Sequence, residues 1–129
     1  SIYPMPGLFS WAALQEEGDS YLISRYDLAN GTASSGQAFP RLTAPSQIKE
    51  AEKALNAAEG LSSVKIFRWR AYAVAVNASL SGNGSWYIEY YDPLVRAQRD
   101  GSWSFLRPPF RRYGSLRVAV QGGIARMAE

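Results

Sequence analysis

The stretch VKIFRWRAYAVAVN, Val64 to Asn77, decides the reading of the chain, together with its sequel WYIEYY, Trp86 to Tyr91. In extended form the first run puts Phe67, Trp69, Ala71, Ala73 and Ala75 on one face. Val64, Ile66, Arg68, Arg70, Tyr72, Val74 and Val76 fall on the other. A strand apolar on both phases is a central one, covered on both sides, and Val74, Val76 and the aromatics favour strand over helix. Phe67–Asn77 is therefore expected to be a central strand with Trp69 buried. Ser81-Gly82-Asn83-Gly84 should turn the chain, Asn-Gly being a strong hairpin signal, and Trp86–Tyr91 should return as the partner.

Working outward, Pro93 is expected to end that partner strand. Asp100-Gly101 signals a second hairpin between Val95–Gln98 and Trp103–Leu106. Leu116, Val118 and Val120 alternate as a last strand that Gly122-Gly123 closes. Towards the start, Ser46–Glu59 is the main helix. Ser46 can cap it, Ile48, Ala51, Leu55 and Ala58 form a narrow apolar stripe, Glu50 and Lys53 stand at i,i+3, and Gly60 fits a left-handed residue after the last turn. Tyr21–Tyr26 is a short strand, residues 30–36 a loop, and residues 1–20 an irregular lead-in arm broken by Pro4, Pro6 and Gly7. There is no internal repeat and no βαβ rhythm. The expected class is mainly β with one helix, an antiparallel β-sandwich or reduced jelly roll in a single domain over 1–129. The alternative is an α+β open antiparallel sheet with one helix.

Composition narrows the chemistry. The 129 residues include no cysteine and no histidine, which removes thiolate nucleophiles, disulfides, the commonest metal ligands and the usual neutral-pH base. No apolar run approaches the ~20 residues of a membrane helix, and the start lacks the pattern of a signal peptide. Catalytic residues, cofactors and metal sites are all expected to be absent. The net charge of +3 divides unevenly: residues 1–60 hold four basic and seven acidic side chains, residues 61–129 ten and four. Eleven of the fourteen basic residues are Arg, the residue suited to bidentate anion contacts and aromatic stacking.

The segment Phe67 to Pro93, FRWRAYAVAVNASLSGNGSWYIEYYDP, resembles the middle of jelly-roll coat proteins of small icosahedral RNA viruses, and Gly114 to Val120, GSLRVAV, looks like their last strand. Tyr21–Tyr26 could stand for the first. The resemblance covers about a third of the chain. The stretch 94–113 is too short for a complete shell domain, and the Arg-rich arm of such proteins is missing. A reduced jelly roll or a protruding domain fits better. The resemblance implies a non-catalytic structural module of a virus particle that acts by self-association.

Four groups of side chains remain as candidates. Arg107, Arg111, Arg112 and Arg117 form a basic set suited to a polyanion. Arg68, Arg70, Tyr72, Trp86 and Tyr87 could make a stacking or interface platform, unless the guanidinium groups pair with acids or lie over aromatic rings. Glu16, Glu17 and Asp19 read as a solvated acidic turn. Glu89 is expected to pair with Arg68 or Arg70 across the hairpin, and Asp92 to shape the turn before Pro93. Asn30, Asn77 and Asn83 stand in N-x-[ST] sequons, which also suit turns. No nucleophile elbow and no phosphate-cradling glycine loop is present. Two further readings stay open: a nucleic-acid-binding domain using the Arg-rich C-terminal half, and a cellular adaptor domain. The expected partner is a second copy of the chain, with nucleic acid as a further candidate and no membrane insertion. The expected location is the virion, the alternative the cytoplasm.

Overall fold

A computed structural model describes residues 2–4, 10–27, 31–33, 36–44, 48–100 and 114–128. These residues are mainly β, in two five-stranded sheets with three helices.

The first sheet holds β1 (Ile2–Pro4), β2 (Ser10–Glu17), β3 (Ser20–Asp27), β4 (Thr32–Ala33) and β5 (Gln37–Pro40), all antiparallel, with β3 pairing to β2, β4 and β5. The region expected to be an irregular arm thus supplies two strands. The turn Gly18-Asp19 joins β2 to β3 in a full eight-pair ladder from Ser10↔Asp27 to Glu17↔Ser20. Tyr21–Tyr26 is a strand as expected.

The second sheet holds β6 (Leu42–Thr43), β7 (Ala75–Leu80), β8 (Trp86–Tyr91), β9 (Ser115–Gln121) and β10 (Ile124–Met127), with β7 to β10 in consecutive antiparallel order. The β7–β8 hairpin forms through the expected turn, from Ala75↔Tyr91 to Leu80↔Trp86. The last strand forms too, but Gly122-Gly123 continues the sheet where an end was expected. Both glycines are left-handed, at φ 60° and 78°, the geometry of a tight two-residue hairpin turn, and they return the chain as β10. β6 runs parallel to β7. Between them lie α1 (Ile48–Glu59) and α2 (Ser62–Arg70), so a parallel crossover through helices is present after all.

The long strand does not form. Its first part, to Arg70, is helix α2, and β7 begins only at Ala75. The reason is backbone satisfaction. β8 supplies only six residues to pair with, and the surplus of a long strand would be left without ladder partners, whereas a helix closes its own hydrogen bonds. The helical period then chooses the buried face. Val64 and Phe67 are buried and Leu61 and Ala71 pack beside them, while Trp69 turns out to solvent at 83% exposure. Trp69 is therefore not a core residue.

The second proposed hairpin fails likewise. Residues expected to be a strand, Val95–Gln98, belong to α3 (Pro93–Asp100), and Trp103–Leu106 lies outside the described residues. Asp92 accepts from the Leu94 amide at 3.0 Å through Oδ1, and its carbonyl accepts from the Arg96 amide. Asp-Pro here is a cap followed by a first-turn proline. The main helix runs from Ile48, with Ala51, Ala54 and Ala58 buried; Ser46 lies outside the described residues. Gly60 is not left-handed, and its amide closes a tight turn onto the Ala57 carbonyl.

Two apolar cores result. Ala51, Ala54, Ala58, Val64 and Phe67 of the helices cover Val76, Ala78, Trp86, Ile88, Tyr90, Val118 and Val120 on one face of the second sheet. Leu14, Tyr21, Ile23 and Phe39 of the first sheet meet Ala73, Ala75, Tyr91 and Leu94. Ile88→Ala in the first core should cost about 2–5 kcal/mol, whereas Trp69→Ala should stay within about 0.5 kcal/mol of the parent; urea melts of the two variants check the assignment.

Candidate functional site

The second sheet has two unlike faces, because alternation sends every other side chain away from the helices. Rows of neighbours follow from the register. Asn77, Glu89 and Arg117 stand side by side, and Ser79, Tyr87, Ala119 and Arg126 form the next row. Asn77, Ser79, Tyr87, Arg117, Gln121 and Arg126 are exposed, Tyr87 at 49%.

Electrostatics on this face centre on Glu89. Arg96, from the first turns of α3, places Nη1 3.2 Å from Glu89 Oε1 and its guanidinium 4.1 Å above the Tyr91 ring. Arg117 approaches Glu89 Oε2 at 3.8 Å. The expected pairing of Glu89 with Arg68 or Arg70 is thus replaced, since those arginines sit on α2 across the sheet. Glu89 is the only carboxylate on the four strands β7, β8, β9 and β10 themselves and is flanked by two guanidinium groups, so with Arg126 these strands and Arg96 carry an excess of positive charge.

The proposed stacking set is divided by the sheet. Tyr87 faces outward. Trp86, next in sequence, is buried among helix-side residues and offers no surface. Arg68 pairs with Glu59 at the end of α1 and stacks 5.5 Å over the Tyr90 ring, so it is used within the fold. Burial raises the Tyr90 hydroxyl pKa well above the ordinary tyrosine value, reinforced by the Glu59 carboxylate and opposed by Arg68. Neither that hydroxyl nor Glu59 Oε2 completes a hydrogen bond of standard geometry. Arg70 and Tyr72 are exposed at the C-terminal end of α2, next to Trp69. Together with Ile66, one helical turn before Trp69, they surround a second surface, aromatic and basic.

Of the basic set, Arg117 lies on the open sheet face; Arg107, Arg111 and Arg112 lie outside the described residues. The signal for Arg126 was present in the sequence, but it was hidden by the missed strand β10. Glu16 and Glu17 are exposed at the tip of the β2–β3 hairpin, with Glu16 paired to Arg41 at 3.1 Å. Asn83 caps its own turn: its Oδ1 accepts from the Ser85 amide at 3.1 Å and from the Ser81 hydroxyl. Asn77 is exposed on the sheet, and Asn30 lies outside the described residues.

Asp92 does shape the turn before Pro93, and it does more. Only 2% exposed, its Oδ2 accepts from the Tyr72 amide at 2.9 Å while Oδ1 caps α3. Burial pushes its carboxyl above the usual value, and the surrounding backbone amides of Tyr72, Leu94, Val95 and Ala73 pull the other way. Among the described residues no three metal-ligating side chains gather in one place, and no helix is long and apolar enough to cross a membrane. Comparisons with protein-family models, curated proteins and solved structures return no match for the chain.

Replacing Asp92 tests its part in the fold directly. Asp92→Ala strands one buried and one part-buried backbone amide and should cost about 2–4 kcal/mol. Asp92→Asn keeps an acceptor and should cost less than half as much, as measured by thermal and urea unfolding.

Proposed function

We propose that this domain is a non-catalytic structural module that works by self-association, in keeping with the coat or protruding-domain resemblance of its sequence and with a place in a virus particle. The observation that carries the reading is Trp69, 83% exposed on α2 and accompanied by the exposed Ile66 and Tyr72. A large aromatic displayed on a rigid helix contributes little to folding and much to an interface, where tryptophan is among the residues that dominate binding energy. The sheet edge gives further support. Among the described residues β10 pairs only with β9, and Ile124 on it is 73% exposed, the kind of strand edge that invites another chain.

Charge supports a second copy as the partner. Lys65 and Arg70 stand near the exposed Trp69 on α2, whereas Glu17 and Asp19 are exposed at the β2–β3 tip; Arg68 and Glu16 are paired within the fold. A basic aromatic face and an acidic tip on one molecule are complementary between copies, which is the geometry of head-to-tail growth. The sandwich part of the reading is supported by the apolar residues that the two sheets share, including the edge-on contact of Phe39 with Tyr91 at 6.3 Å. The consecutive order of β7 to β10 favours a sandwich built from a meander over a reduced jelly roll.

Sedimentation across a concentration series tests the proposal. The parent should associate with rising concentration, and Trp69→Ala, folded as judged by its melting curve, should weaken association at least about tenfold. A parent that stays monomeric to its solubility limit, or a variant that associates equally well, would sink the reading.

A further inference from the structure

We infer that the open face of the second sheet, around Tyr87, is a binding platform for single-stranded nucleic acid. The inference rests on the arrangement of one row of side chains and the charge beside it. Tyr87 is half exposed at the middle of the sheet, on β8. Its two cross-strand neighbours are small, Ser79 on β7 and Ala119 on β9. Ser79 is exposed and small, which leaves room for a planar base on the β7 side of the ring, whereas Ala119 is buried. Aromatic rings on a sheet surface are a recurring way to hold unpaired bases.

The phosphates would meet arginine. Arg126 stands in the same row, two strands from Tyr87, about 10 Å away at ordinary strand spacing. Arg117 lies one step along β9 on the same face and shares Glu89 with Arg96. Three guanidinium groups against one carboxylate leave a positive surface. Arg126 makes no ion pair among the described residues. Asn77, Ser79 and Gln121 add exposed polar groups of no charge. A duplex would use only the arginines, since its bases are stacked and hidden. Tyr87 is useful only to a strand whose bases are free, and this favours the single-stranded form.

Fluorescence anisotropy with a labelled single-stranded oligouridine tests the inference, run beside a duplex of equal length and anionic vesicles. The single strand should bind most tightly. Tyr87→Ala should weaken binding about tenfold or more, and Tyr87→Phe, which keeps the ring, should retain it. Arg126→Gln should lower the slope of log affinity against log salt by about 0.7, one phosphate contact. Glu89→Gln, which frees Arg96 and Arg117, should tighten binding. Both Tyr87→Phe and Arg126→Gln alter groups at the surface, so they report even if Tyr87→Ala fails to fold. The inference is overturned by absence of binding at low salt, by equal affinity for duplex or a preference for vesicles, or by indifference to Arg126→Gln. It is overturned equally if affinity depends on Arg111 and Arg112 but not on Tyr87.

Discussion

The Asp92 carboxylate joins parts of the chain that no continuous ladder connects. One oxygen holds the Tyr72 amide between α2 and β7, and the other caps α3. The Asp92 amide itself donates to the Gly114 carbonyl at the entrance to β9. A helix exit, a helix start and a strand start are thus tied to one buried residue. Burying a carboxylate is costly unless its oxygens are satisfied, and here backbone donors do that work. With Asp92 in place, α3 lays Leu94 into the core shared by the two sheets and extends Arg96 over Tyr91 towards Glu89. The electrostatics of the open face therefore begin at a capping interaction.

Arg41 makes a comparable junction between the sheets. It stands between β5 of the first sheet and β6 of the second. Its amide donates to the Asp19 carbonyl, and its carbonyl accepts from the Val76 amide, so one residue carries the chain across. Its guanidinium lies 4.9 Å over the Tyr21 ring and reaches Glu16. Arginine over an aromatic ring recurs with Arg68 on Tyr90 and Arg96 on Tyr91. In each case the guanidinium lies over the ring while it also pairs with a carboxylate. Three of the eleven arginines are thereby explained by architecture. Arg117, paired with Glu89 at 3.8 Å, and Arg126 mark the open sheet face.

Functional consequence follows from the difference between the two faces of the second sheet. The helix side is filled by small residues on α1, whose Ala51, Ala54 and Ala58 let the helix approach closely. Among the described residues the other side is covered by the first sheet and α3 at the Tyr91 end. Beyond that cover, Tyr87, Arg117 and Arg126 are exposed. The exposed Trp69 lies on α2 and Tyr87 on β8, whereas the β10 edge proposed for association also carries the Arg126 proposed for a phosphate.

The sequence by itself determined what depends on local pattern and composition. Asn83-Gly84 and the alternation of Trp86–Tyr91 specified the β7–β8 hairpin, and Leu116, Val118 and Val120 specified β9. The alanine stripe specified α1, and the lack of cysteine and histidine limited the available chemistry. Only the tertiary structure decided the rest. Val64–Arg70 satisfies both a period of two and a helical period, and the choice fell to helix because β8 could pair with six residues and no more. That choice moved Trp69 from core to surface and Arg68 and Arg70 to the helix. The short strands β6 and β10 exist because a neighbouring strand offers them a ladder, a long-range condition that neighbours in sequence do not encode. The placing of Trp86 and Tyr87 on opposite faces followed from alternation, but which face would be covered depended on where α1 and α2 packed.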